Sequence, residues 1–446
     1  MTPDPLASEF FPSSSGSIWI SGAGFCALPL LLGLLAATPS SGAEDAQEPP
    51  PDPLAPATES DVNQRGYFGG GSVPSSLLTP SRLRLGDFAL SGQASLGMLY
   101  DDNVEADDDA RDEDVFLTFA PSVRAQSTYA RHSIGFGAGA SAGTALKDST
   151  DDFFDWQIGA DGRLDLSRTS KVNASLSYSR DVEDDENVDA EDDEGDTPIH
   201  NFGAGLGYSA GGDRLGFSVD STVSRLDVEG DDFEDRDSTT LGLSGKLKFG
   251  WSDKLSFSMG PSYRHATFDE DEADDGDGRD ADRYAFQFGA GYRASRTIST
   301  RASLGYAILT FDDPDREDEN TATGSAGLTW SPGNGTTLDL NASRSLELSI
   351  EDGEDSRTST SASATLAHRL RLGSRSVLSS TLGLSVTRLS DLDRTDKNLT
   401  TGLTFGYRLA ERAVLTSSYR FSRRFSDEED AEFYRNLVSI GVTLSY

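Results

Sequence analysis

From Phe88 onward the chain alternates apolar and polar positions with a period of two, in segments of roughly ten residues divided by polar connections. In Arg283 to Ala294 (RYAFQFGAGYRA), Tyr284, Phe286, Phe288, Ala290 and Tyr292 share one parity. Arg283, Ala285, Gln287, Gly289, Gly291 and Arg293 share the other. Successive side chains on a strand point to opposite faces, so each segment predicts a strand with an apolar stripe opposite a small, polar one. Leu399 to Leu409 repeats the pattern, with Leu399, Leu403, Phe405 and Tyr407 against Thr400, Gly402, Thr404 and Gly406. The last segment sets Tyr434, Val438, Ile440, Val442, Leu444 and Tyr446 against Arg435, Ser439, Gly441, Thr443 and Ser445.

The connections alternate between two kinds. One kind is short and poor in acids: STYA (127–130), SRTS (167–170), AGGD (210–213), GWSD (250–253), ASRT (294–297), SPGN (331–334), RLGS (371–374) and LAER (409–412). The other is acidic and often long, at 101–114, 148–155, 181–196, 227–237, 269–282, 312–319, 351–355, 391–396 and 427–432. These runs hold most of the 75 Asp and Glu residues, so the formal charge of -37 belongs largely to one set of connections. The stretch TFDEDEADDGDGRDADRY (Thr267 to Tyr284) is one of them, hung between aromatic belts.

A soluble sandwich gives no reason for connections to sort by charge and length on alternate hairpins. A transmembrane barrel does, with short turns on one side, longer outer loops on the other and aromatic belts at both interfaces. Backbone groups in lipid must be paired within the protein, which strands achieve by closing on themselves. Nine hairpins therefore predict an all-β fold, a transmembrane antiparallel up-and-down β-barrel of about 18 strands over 81–446. The alternative is a soluble all-β repeat protein such as a calcium-binding solenoid, against which variable connection lengths and the lack of Gly-Asp nonapeptides count. The acid surplus excludes a nucleic-acid binder, which needs a basic patch.

The N-terminal part has a different composition. The apolar run Phe25 to Ala37 (FCALPLLLGLLAA) fits the core of a signal peptide over 1–43, with Ser41-Gly42-Ala43 as the small-residue cleavage site. Residues 44–80 are rich in Pro, Gly and Ser and predict a disordered periplasmic segment. The single cysteine, Cys26, leaves no internal disulfide framework.

The stretches YDDNV (100–104), LDLSRTSKVNASLSYSRDVED (164–184) and GAGLGYSAGGDRLGFSVDSTVSRLDVE (203–229) resemble the Putative beta-barrel porin 2 family of Gram-negative outer-membrane proteins. The Tyr-Asp-Asp-Asn that ends the first strand is the sharpest motif. The resemblance implies a location in the bacterial outer membrane and a link to exopolysaccharide export proteins. It carries over no catalytic or substrate residue. The aromatic Tyr446 that ends the last strand looks like the terminal signal read by the barrel assembly machinery. The other expected partners are outer-membrane lipids and lipopolysaccharide.

The polar parity supplies the candidate lining of the lumen: small residues with Arg124, Arg163, Arg264, Arg293, Arg301, Arg408, Arg420 and Arg424. Two readings stand for these arginines. They attract anions in a low-dielectric passage, or they pair with Asp161, Asp165 or Asp220 and brace the wall. The lining shows no run of aromatics for stacking neutral sugars. Arg225 and Arg344 fall on the lipid parity, which a bulge or interfacial snorkelling would explain. The long third outer loop, Asp181 to Asp196, is a candidate inward-folding constriction.

No enzyme is indicated. Of the four histidines, His132 and His368 fall toward the short turns, while His200 and His265 near the acidic loops are the candidates for an Asp-His pair. No specific metal site and no cofactor are indicated. In Asp271-Glu272-Ala273-Asp274-Asp275-Gly276 the alanine stands where a calcium loop requires a ligand. Loose Ca or Mg binding by the loops, or simple solvation of them, accounts for the acids. The functions implied are a porin-like channel, a component of exopolysaccharide export, or a non-conducting structural or adhesive surface barrel.

Overall fold

A computed structural model describes residues 77 and 83–446, except 108–110, 148–151, 183–196, 213, 231–235, 270–278, 315, 350–355, 371–374, 391–393 and 429–430. Contacts divide the chain into Met1–Gln47, outside the described residues, and Glu48–Tyr446, which contains all the strands. The signal-peptide expectation, and nearly all of the segment 44–80, therefore lie outside the described residues.

The strands are β1 (Leu83–Leu85), β2 (Phe88–Asp101), β3 (Asp114–Ser127), β4 (Ser133–Ala145), β5 (Phe153–Asp165) and β6 (Ser170–Val182). There follow β7 (Pro198–Gly211), β8 (Leu215–Val228), β9 (Ser238–Gly250), β10 (Leu255–Phe268), β11 (Ala281–Arg293) and β12 (Ile298–Phe311). The last seven are β13 (Glu319–Gly333), β14 (Thr336–Leu348), β15 (Ser356–Leu370), β16 (Ser376–Leu389), β17 (Thr395–Ala410), β18 (Ala413–Phe425) and β19 (Phe433–Ser445). Each of β2 to β19 pairs antiparallel with the next, and β19 returns to β2 from Leu437↔Asp101 to Ser445↔Gln93. The fold is a closed antiparallel transmembrane barrel of 18 strands, to which β1 adds a three-residue hairpin arm on β2.

The alternation read from the sequence becomes the two faces of the wall. Leu96, Leu206 and Leu304 project from the outer face at 58%, 58% and 71% exposure. A band of that kind is stable only in hydrocarbon. Aromatic pairs mark both rims: Trp156–Tyr178 and Tyr263–Tyr284 at the long-loop end, Phe88–Tyr129 and Phe249–Trp251 at the short-turn end. Phe268, which flanks the acidic run, is instead on the inner face, with Arg279 4.7 Å over its ring. The strands run to 13–16 residues, longer than the ten expected, because alternation continues past the apolar band into the rims.

The turns show why the short set can be short. Between β13 and β14 only Asn334 and Gly335 intervene, with φ of 55° and 73°. Two positive φ values in succession make a type I′ turn, whose twist matches the flanking strands, and Asn-Gly is the pair that tolerates it.

Candidate functional site: the inner wall of the barrel

Register partners share a face, so the ladder assigns every inner position. Arg124, Arg163, Arg264, Arg293, Arg301, Arg408, Arg420 and Arg424 all fall on the face opposite the apolar band. Several of them lie flat on the wall. Arg301 of β12 reaches Asn341 of β14 at 3.1 Å, crossing Gly327 of β13, where a Cβ would meet its Nε at 2.7 Å. Arg124 of β3 crosses β4 beside Gly137 and meets Asp161 of β5 at 2.7 Å. Arg163 pairs with Asp165 at 3.1 Å. Glycine on the middle strand thus leaves room for a long side chain to bridge next-nearest strands.

Near the long-loop end the inner face turns apolar. Leu99, Phe116, Ala145, Phe153 and Leu437 form a buried cluster, with the Phe116 and Phe153 rings 6.2 Å apart. The Phe153 ring fills the place where a side chain at Gly143 would stand, 2.1 Å from that glycine's built Cβ. This collar adds two aromatic rings to a lining expected to be mostly small and polar. Its signal is present in Val115-Phe116-Leu117, where both parities are apolar and predict a strand buried on both faces.

The YDDNV motif lies beside the collar and closes the barrel. Asp101 and Arg435 are buried and joined across β2 and β19 by Nε and Nη2 donors at 2.9 and 2.5 Å. Beyond the last register pair, Asp102 accepts from the Asn436 backbone at 2.6 Å and from its side-chain amide at 2.8 Å. Asn103 donates its amide to the carbonyls of Asp107 and Tyr434. The motif is a latch on the closing seam.

A second seam does the reverse. The β13–β14 register ends at Gly324↔Arg344, although β13 starts at Glu319 and β14 runs to Leu348. By alternation Leu346 belongs to the outer face, with Leu338 and Leu340. Yet it packs, fully buried, on Ala281, Ala307 and Leu309, which belong to the inner face of β11 and β12. The outer end of the β14–β15 hairpin therefore leans into the barrel. Arg283 donates to the Leu346 carbonyl at 2.6 Å, and Arg279 to that of Ser349 at 3.4 Å. Arg264, Arg283 and Glu347 line a recess of about 160 Å³ between hairpin and wall.

The same split accounts for Arg344. Its guanidinium bridges the opening, donating to Thr360 at 2.8 Å and Thr321 at 3.2 Å. Arg225, the second arginine placed on the lipid parity from the sequence, sits at the rim and donates to Asp269 at 2.5 and 3.1 Å. That contact holds the Asp269 carboxyl below its ordinary pKa. Of the third outer loop expected to constrict the lumen, Asp181 and Val182 end β6, and 183–196 lie outside the described residues.

The histidines occupy four separate places. His132 Nδ1 accepts from the Asp165 backbone, His368 meets Thr336, and His200 meets Tyr178. His265 contacts Asp282 at 2.9 Å, but on the outer face, where Tyr263 and Tyr284 also donate to the same carboxylate. Among the described residues no group of three or more His, Cys, Asp or Glu side chains could hold a metal ion. Tyr446 exchanges both backbone hydrogen bonds with Gly92, and Arg412 lies 5.1 Å over its ring.

At the short-turn end, Arg408 donates its Nε to the carbonyl of Leu77 at 2.7 Å. Leu77 itself is buried against Val377 and Val414 of the inner wall. Lys171, Lys246 and Lys248 also belong to this end. They were missed because only arginines were followed, although KLK in LSGKLKFG already places two lysines on the polar parity.

An 18-strand closed barrel with a polar, arginine-bearing wall defines a porin-like class of protein. The family model for Putative beta-barrel porin 2 matches residues 79–446, and the chain belongs to that family. Among solved structures, OccK2 (OpdF) of Pseudomonas aeruginosa is similar, at 13% identity and a TM-score of 0.47 over 81% of this chain and 98% of that one. The FrpB iron transporter of Neisseria meningitidis is similar at 8% and 0.48, over 84% and 83%. OpdK of Pseudomonas aeruginosa, solved with vanillate, stands at 11% and 0.45, over 80% and 99%. A comparison with curated proteins gives no match.

Proposed function

We propose that the chain is a passive, porin-like diffusion channel in the outer membrane of a Gram-negative bacterium, with the inward-leaning β14–β15 hairpin setting its bore. The observation that carries the reading is the inner wall. Barrels of this strand number leave an aqueous passage unless side chains fill it. Here much of the wall is Ser, Thr and Gly, and Arg124 and Arg301 lie along it rather than across it. Cations on the wall favour anions, and the acidic outer loops favour cations, so the sign of selectivity reports which end controls entry.

The test is single-channel recording of the refolded full chain in a planar bilayer under a salt gradient. Steady open steps with a defined reversal potential are expected. A barrel that is folded by circular dichroism yet silent overturns free diffusion. That result moves the assignment to a gated component of polysaccharide export, the role the sequence resemblance implies.

A further inference from the structure

Four strands set one row of inner-face residues near the short-turn end, with registers Lys171↔Ser209, Ser209↔Ser218 and Ser218↔Lys246. Adjacent strands lie about 4.8 Å apart, so the two lysine backbones stand roughly 14 Å apart with two serine hydroxyls between them. Lys248, one inner position nearer the turn, is opposite Gly216. A cavity of about 770 Å³ opens over this row, and Arg131 and Arg168 line it from the turns.

The local chemistry runs against the chain as a whole. Five cations line the cavity in a protein of net charge -37. Among the described residues the lining carboxylate is Asp165, engaged by Arg163 at 3.1 Å. Glycine shapes the floor: Gly211 has φ +135°, and a Cβ there would meet the Gly216 Cα at 2.3 Å, so only glycine lets β7 and β8 meet this closely beside the turn. A space walled by low-dielectric protein and lined by one sign of charge concentrates ions of the other sign.

We propose that this cavity binds a multivalent anion, an oligo-carboxylate or oligo-phosphate whose charges span the distance between Lys171 and Lys246. Its ends meet the ammonium groups, its middle accepts from Ser209 and Ser218, and Lys248, Arg131 and Arg168 hold the end nearest the mouth. The site deepens the channel reading by naming a class of solute, but binding itself does not require conduction.

The test is isothermal titration of the refolded full chain in detergent at low salt, with tripolyphosphate, triglutamate and acetate as probes. Binding of tripolyphosphate or triglutamate at least about ten-fold tighter than acetate is expected, and the preferred probe tells phosphate from carboxylate. Lys171→Gln with Lys246→Gln weakens that binding by about ten-fold or more, and Lys248→Gln alone weakens it less. Lys397→Gln, on the outer face, leaves it unchanged. If the double variant fails to fold, the two single variants carry the same comparison. Equal affinity for all three probes, or a folded variant that binds as well as the parent, overturns the proposal. In the bilayer, a conducting channel without selective binding overturns this inference alone. A silent barrel with selective binding overturns the free-diffusion reading alone.

Discussion

Two seams at the long-loop end of the same wall end their backbone pairing early, and they resolve it in opposite ways. At the closing seam, the register ends at Leu437↔Asp101, and one backbone bond, Asp102 N–H to the Asn436 carbonyl at 3.3 Å, is joined by side chains: Asp102 takes the Asn436 backbone N–H and Asn103 the Tyr434 carbonyl. At the β13–β14 seam, pairing stops at Gly324↔Arg344 and one strand moves inward. What replaces the ladder there is apolar packing of Leu346 on Leu309, with Arg344 reaching across the gap. The difference teaches that a barrel wall opens where a side chain beyond the last pair, here Leu346, finds apolar packing on other strands. It stays shut where the side chains there are short carboxylates and amides able to imitate backbone partners.

The largest effect is expected at the latch. Arg435→Ala leaves the Asp101 carboxylate buried without its cation, with the Asn103 N–H still donating to it, and removing one partner of a buried pair costs about 3–5 kcal/mol. Urea unfolding in detergent reads this directly. Replacing both residues by methionine recovers much of the loss, because the pair itself contributes little net stability. A double variant as unstable as Arg435→Ala contradicts that account of the latch.

Leu346→Ala comes next. It removes a fully buried side chain from the split seam, at about 2–4 kcal/mol if the cavity stays open. Less is lost if the hairpin swings back to the wall. An unfolding shift of only a few tenths, with unchanged conductance, breaks the picture of a packed, inward hairpin. Arg344→Ala deletes one hydrogen bond across the gap, to Thr321, and one to Thr360 on the neighbouring β15, worth roughly 1–2 kcal/mol together at a partly exposed site.

The smallest effect belongs to the intact rim, where Arg225 and Asp269 pair outside the membrane span. Asp269 has a depressed folded-state pKa, with Arg225 hydrogen bonding as the main cause. Its contribution is therefore present above the ordinary carboxylate value and is lost as pH falls through the lowered one, in acid below about pH 4. Exposed and screened, the pair is worth under about 1 kcal/mol. A chemical-unfolding series from pH 6 to pH 3 on Asp269→Asn against the parent measures it, with the difference closing at the acid end.

Much of the wall was legible in the sequence for a simple reason. Period-two alternation and the sorting of acids are local signals, and a membrane enforces both along every strand. The parity of all eight arginines follows from that alternation. The inward hairpin was not legible, because Leu346 and Leu348 carry the same alternation as Leu338 and Leu340; only the loss of a neighbour on β13 changes which surface they meet. The role of Asp101 was hidden likewise, since Arg435 lies at the other end of the chain and the motif reads locally as a loop start. The inner collar was half visible, in the doubly apolar Val115-Phe116-Leu117, but an expectation of a polar lumen outweighed it.

The central claim, a conducting barrel whose bore is set by the β14–β15 hairpin, is tested most directly by comparing single-channel conductance of the parent with Leu346→Asp. A buried carboxylate on that packing surface drives the hairpin off Leu309. The account predicts steady steps in the parent and larger ones in the variant, both proteins being folded by circular dichroism. Equal conductance, or a folded parent that never conducts, contradicts it.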